Sequence, residues 1–353
     1  MKKSLSILLA LNSMLLAQVS DKEIANMFIL GFYGTTANSN TQICNDLKKG
    51  LGGVIIFQKS PIKRGVAKNF SSYNSLKQLS SQIKKCGNKP LIAVDQEGGL
   101  VQRIKLTKKY PKASVVASKG VAYAEKIYAQ MASELKDLGV NYNLAPVADL
   151  AIEPRNVVIN KWGRSYGKDW KRVAEFDKIF IDAMSKNNIA TSLKHFPGHG
   201  SSLGDTHKGF VDVTKQWREE ELNPYSKLAY KASSVMVAHI FNKTLDPKYP
   251  ASLSRRVVTN LLRGDIGFRG VVISDDLQMG AIAKYYSLRD RIKLSINAGV
   301  DIMLFANQVN PKRVISIDKL INITRELLTS GKISENSIKD ANRRINRLKE
   351  RLY

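Results

Sequence analysis

Apolar, β-branched runs of strand length recur eight times along the chain, at residues 27–32, 53–57, 91–94, 140–144, 189–193, 235–240, 271–274 and 300–305. Between them the apolar positions return at helical spacing, for example over 121–138, 171–186, 219–232, 281–298 and 311–328, and the stretch 332–353 reads as a last, basic helix. Strands without an apolar–polar alternation are buried on both faces, and strands separated by helices build a parallel sheet. Eight such units in 353 residues predict the α/β class and a single (β/α)8 TIM-type barrel with long catalytic loops over residues 21–353. No linker or repeat marks a second domain.

In such a barrel the chemistry collects where the strands end. Val94 runs into Asp95, the strand ending at Leu144 leads to Asp149, Leu193 runs into Lys194 and His195, Val237 leads to His239, and Ser274 runs into Asp275. An open, doubly wound sheet would gather such residues at one or two crossover points instead. The densest segment is KHFPGHGSSLGDTH, residues 194–207, with three of the four histidines. Its glycines and proline argue against a helix or strand, so the whole segment is expected to be a loop. Asp205 and His207 are two apart and leave an extended backbone on the same side. The carboxylate can then fix the imidazole tautomer and raise its basicity, which suits proton transfer. His195, His199, His207 and Asp205 would also make a metal-ligand set, but their spacing fits no standard zinc signature and no metal is assigned.

The run GVVISDDLQM, residues 270–279, puts two carboxylates at the end of the seventh strand. Successive residues face opposite ways, so one of Asp275 and Asp276 points at the barrel axis, and alternation leaves open which. A carboxylate opposite a proton-donating group is the pairing that glycoside hydrolysis needs. With DQEGG, GRSYG, KHFPGHG, DTH and ISDDLQM in this order, the chain resembles glycoside hydrolase family 3 over about residues 21–350. The likeness is to its single-domain β-N-acetylglucosaminidases of peptidoglycan recycling. It implies a retaining, two-step reaction with Asp275 as the nucleophile, His207 as the acid/base on a mobile loop and Asp205 as its partner. It also implies that Asp95, Arg103, Arg164, Lys194 and His195 bind the terminal N-acetylglucosamine. Asp95 can accept from two sugar hydroxyls while the three cations donate charge-assisted bonds and keep Asp275 ionised. A neutral imidazole in the second step would not repel phosphate, so a glycoside phosphorylase is an alternative to a hydrolase, as is a family 3 β-glycosidase of different sugar preference.

Charge changes the picture only at the periphery. The formal net charge is +26, yet the Lys and Arg are spread over nearly every expected helix, without a run that marks a nucleic-acid arm. No nucleic-acid partner and no cofactor are expected, and a monomer is favoured. A basic rim would draw in muropeptides through their carboxylates; a barrel that only binds anionic wall polymer is the non-enzymatic alternative. Residues 1–20, MKKSLSILLALNSMLLAQVS, read as a signal peptide, so a periplasmic or exported location is expected, whereas the resemblance alone points to the cytoplasm. No later segment is apolar enough for stable membrane insertion. Cys44 and Cys86 form no framework pattern and are expected as free helix-face residues. GRSYG, residues 163–167, also satisfies the G-x-S-x-G elbow of serine esterases, but the stretch before it is a poor strand.

Overall fold

The computed structural model describes residues 18–61, 65–105, 108–206, 209–308 and 314–353. Most of the expected signal peptide (residues 1–17) and two residues of the central loop, His207 and Lys208, lie outside them. All eight expected strands form: β1 (Phe28–Gly31), β2 (Gly53–Ile55), β3 (Leu91–Val94), β4 (Tyr142–Asn143), β5 (Ala190–Phe196), β6 (Ser234–Val237), β7 (Val271–Ser274) and β8 (Met303–Phe305). They pair in parallel in the order β8-β1-β2-β3-β4-β5-β6-β7. The ring closes between β7 and β8, where Ile273 and Ile302 form a parallel bridge and the Ser274 N–H donates to the Ile302 carbonyl at 2.9 Å. Every strand residue is buried, because one face fills the barrel and the other packs under the helices.

The helices follow the spacing except where a local donor or cap intervenes. Val121–Asp137 and Trp170–Ser185 form as expected, the second capped by Asp169, whose side chain accepts from the Lys171 N–H. The expected helix 281–298 divides into Gly280–Ala283 and Leu288–Ala298, because the Ser287 side chain takes the Asp290 N–H and starts a new helix. The segment 219–232 begins as a 3-10 turn, Glu219–Leu222, before the short helix Asn223–Leu228, whose first turn holds Pro224. Ser316 caps Ile317–Thr329, a later start than expected, and residues 309–313 are outside the described set.

Two expectations are corrected. The loop predicted for 194–207 starts only at Pro197, since β5 continues through Lys194, His195 and Phe196. Neighbouring backbone holds these residues in the sheet: the Ala148 N–H donates to the Lys194 carbonyl at 2.7 Å and the Ala238 N–H to the Phe196 carbonyl at 2.8 Å. Cys44 and Cys86 are not free; they form a disulfide. The helices Gln42–Lys48 and Tyr73–Cys86 lie side by side and bring the two Cα atoms to 5.1 Å, within bridging reach.

Candidate active site

The C-terminal ends of the strands surround a cavity of about 540 Å³. Asp95, Arg103, Arg164, Lys194, His195, Asp205 and Asp275 all line it, brought together from six separate stretches of chain. His207 lies outside the described residues.

At the end of β7 both Asp275 and Asp276 line the cavity, in different surroundings. Asp276 is buried, and its Oδ1 accepts from the Gln278 N–H at 3.0 Å and the Ala306 N–H at 3.2 Å. That carboxylate ties the end of β7 to the chain leaving β8. Asp275 is half-buried at the cavity wall, with Oδ1 accepting the Asp276 N–H at 2.7 Å. His239, another strand-end residue, is absorbed by the scaffold: its Nε2–H donates to the Asp276 carbonyl at 2.9 Å and its Nδ1 accepts from the Ser252 hydroxyl at 2.7 Å.

Opposite β7, a chain of charged groups runs along the cavity wall. Lys194 Nζ bridges Asp95 Oδ1 at 2.9 Å and Glu97 Oε1 at 2.7 Å. Arg164 forks onto the same Glu97, Nε to Oε2 at 2.8 Å and Nη2 to Oε1 at 2.7 Å, and Nη2 also reaches His195 Nε2 at 3.3 Å. The His195 Nδ1–H donates to Asp149 Oδ2 at 2.6 Å, while Asp149 Oδ1 accepts the backbone N–H groups of His195 and His199. Arg103 stands looser, its Nε 3.8 Å from Asp95 Oδ2. Bidentate, charge-assisted pairs of this kind fix direction as well as distance, so the cluster is held in place without a ligand.

Sequence reasoning named Asp149 at a strand end without giving it a role, and it missed Glu97 at the cavity wall. Glu97 sits two residues beyond Asp95 in DQEGG, on a hairpin of Gln96–Gly98 and Val101–Gln102. Gly98 and Gly99 turn that hairpin at φ of 108° and 60°, values that L side chains rarely adopt. Burial works against the Glu97 charge, but Arg164 and Lys194 outweigh it and hold the carboxyl below the usual carboxylate range. Burial likewise opposes the Lys194 charge, and Asp95 and Glu97 prevail, keeping its pKa above the ordinary value. Of the three cations expected around Asp275, Arg164 and Lys194 are paired with Glu97.

Removing Glu97 leaves two buried cations without their partner. Glu97→Ala is expected to destabilise the fold by roughly 3–5 kcal/mol in urea unfolding, and a loss under about 1 kcal/mol would count against the pairing. Because the folded pKa is depressed, this contribution is complete above the unfolded value of 4.5 and fades only as pH falls far below it. His199 has the opposite chemistry. Burial pushes it down to about 4, and its Nδ1 and the Ser202 hydroxyl are 2.7 Å apart. The unfolded chain takes up a proton near 6.5 that the folded one refuses, so stability is expected to fall by about 3 kcal/mol as pH drops from 6.5 to about 4. Chemical unfolding at several pH values checks this, and His199→Gln should flatten the slope.

The esterase reading finds little support. Ser165 is buried, its hydroxyl donating to the Gly167 carbonyl and accepting the Gly167 N–H, and a helical turn, Val157–Lys161, replaces the strand that an esterase elbow requires. Among the described residues no group of three or more His, Cys, Asp or Glu side chains is arranged to hold a metal ion.

A (β/α)8 barrel that presents two carboxylates, Asp275 at a strand end and Asp205 on a loop, beside a hydrogen-bonding wall for a polyhydroxyl ligand has the makings of a glycoside hydrolase. The model of the glycosyl hydrolase family 3 N-terminal domain matches residues 19–348. A beta-hexosaminidase of Xanthomonas oryzae pv. oryzae is 32% identical over 295 residues, which cover 79% of this chain and 83% of that one. One of Stenotrophomonas maltophilia is 33% identical over 296 residues, with 79% and 82% covered. A family 3 β-N-acetylglucosaminidase structure from Paenibacillus sp. FPU-7 superposes with a TM-score of 0.85 at 29% identity; the match covers 95% of this chain but only 63% of that longer one. A β-N-acetylhexosaminidase from Beutenbergia cavernae gives 0.81 at 26% identity, covering 95% of this chain and 99% of the other. The chain belongs to glycoside hydrolase family 3.

Proposed function

We propose that the protein is a retaining exo-β-N-acetylglucosaminidase that releases N-acetylglucosamine from peptidoglycan fragments. Family membership and the relatives named beta-hexosaminidase support a glycoside hydrolase of the β-N-acetylhexosaminidase type. One observation carries the mechanistic reading: Asp275 and Asp205 share a single cavity with Asp95, Arg103, Arg164, Lys194 and His195.

In the first step Asp275 attacks the anomeric carbon as the bond to the leaving oxygen breaks, and His207 delivers its proton to that oxygen. In the second, His207 takes a proton from water, the water oxygen bonds to the anomeric carbon, and Asp275 departs as carboxylate. Asp205 orients the imidazole throughout. Asp95 and Lys194 hold the ring hydroxyls, with Arg103 beside Asp95. A proton NMR time course on p-nitrophenyl N-acetylglucosaminide tests this: β-hemiacetal is expected first, and α-anomer first, or no turnover, rules the reading out. Phosphate added to the same assay distinguishes the phosphorylase alternative by release of a sugar 1-phosphate.

The disulfide between Cys44 and Cys86 supports export, because such bonds persist in oxidising compartments. N-terminal sequencing of the native protein checks it, and an intact residue 1 would contradict it. The basic exterior favours the carboxylate-bearing muropeptide over neutral glycosides. Added salt is expected to lower kcat/KM on muropeptides while leaving p-nitrophenyl N-acetylglucosaminide unaffected.

A further inference from the structure

The turn between β5 and Asp205 is gripped by a second buried carboxylate that the reaction scheme leaves without a task. Glu221 is 1% exposed, although it ends a run of three glutamates that reads as a solvated face. Its Oε2 accepts the Gly200 N–H at 3.0 Å and the Ser201 N–H at 3.4 Å, and its Oε1 accepts the Arg218 N–H at 3.3 Å. Beside it the Trp217 indole N–H donates to the Pro197 carbonyl at 3.0 Å. Gly198 is packed so closely that a Cβ there would lie 2.6 Å from the Glu221 Cβ, and its φ of 118° already favours glycine. On the other side of the same turn Asp149 accepts the His199 N–H, and Asn156 donates to the His199 carbonyl at 2.8 Å. Residues 198–201 are therefore fixed from two sides, and four residues later the chain delivers Asp205 to the cavity.

We infer that Glu221 is a positioning residue for the acid/base dyad, holding through the Gly200 and Ser201 amides the stem that carries Asp205 to the cavity. The inference rests on the dyad reading above. A carboxylate accepts both amides along lone pairs of one oxygen, whereas a protonated or amidated group holds the turn less firmly. Burial pushes Glu221 up to about 7, with Asp149 adding to the rise and hydrogen bonds from Ser201 and the Arg218 N–H opposing it. The other titratable neighbours are Tyr225 on the helix Asn223–Leu228, whose own pKa Glu221 helps to raise, and His199 within the turn.

The experiment compares the full-length protein with Glu221→Gln, a change of almost no volume, on a series of aryl N-acetylglucosaminides of rising leaving-group pKa. A poor leaving group needs the proton and a good one does not, so misplacing the acid steepens the dependence. The expected result is a fall in kcat/KM of roughly tenfold for the poorest leaving group and under about twofold for the best, since misplacement by an ångström or less is costly. The ratio of wild type to variant should shrink below about pH 7, where wild-type Glu221 becomes neutral too. An equal loss on every substrate, or none, overturns the inference. His207→Ala run in parallel separates the two failures: if it steepens the leaving-group dependence and Glu221→Gln does not, the dyad stands and the positioning role falls. Should the Gln variant unfold at assay temperature, Glu221→Asp with the same series decides, because a carboxylate too short to reach both amides is expected to give the same leaving-group bias.

Discussion

Asp275→Ala is expected to lose at least about 10⁴-fold in kcat while its thermal unfolding stays close to that of the wild type, because the residue forms the bond that divides the reaction in two. The reason the loss falls on chemistry is local. Asp275 is half-buried at the cavity wall, and its Oδ1 accepts the N–H of the next residue. The adjacent Asp276→Asn provides the contrast. That side chain accepts the Gln278 and Ala306 amides, so its loss should appear first as lower stability and looser joining of β7 to β8. Stopped-flow measurement of the two variants decides the assignment. Retention of more than about one per cent of wild-type turnover by Asp275→Ala, with Asp276→Asn dead and folded, would move the nucleophile to Asp276.

His207→Ala is expected to slow turnover by roughly 10²- to 10⁴-fold, the usual range for a lost general acid or base. The loss should not be uniform. A dinitrophenyl leaving group departs without a proton, so formation of the glycosyl-enzyme stays fast and only its hydrolysis slows. A burst of aryl alcohol followed by a slow steady state is the expected trace. Asp205→Asn keeps the shape of the partner and removes its charge, and should show a weaker form of the same pattern. A His207→Ala enzyme without a burst, slowed equally on every leaving group, would dismiss the histidine from proton transfer.

The fold was legible because a barrel strand is apolar on both faces, and because polar residues at the ends of several of the eight runs set a barrel apart from an open doubly wound sheet. Cap chemistry limited the helix boundaries: Ser287 and Pro224 break what periodicity joins. The site was legible wherever a polar residue directly follows a strand-like apolar run, as with Asp95, Lys194 and Asp275. Glu97 escaped because its importance comes from partners distant in sequence, Arg164 and Lys194, and Glu221 because a row of glutamates looks the same whether its last member faces water or the core. The disulfide escaped for the same reason, since two cysteines 42 residues apart carry no mark of adjacency until two helices are laid together.

The cavity and the molecule around it have opposite electrical character. Among the described residues that line the cavity there are five carboxylates, Asp95, Glu97, Asp205, Asp275 and Asp276, and three cations, Arg103, Arg164 and Lys194, inside a protein of formal net charge +26. A ring carbon that turns cationic as its glycosidic bond stretches meets a surplus of fixed negative dipoles and charges there, already oriented and with little water to rearrange. A flattened, positively charged iminosugar should therefore bind far more tightly than a neutral ring of the same shape, and by a margin that ionic strength hardly alters.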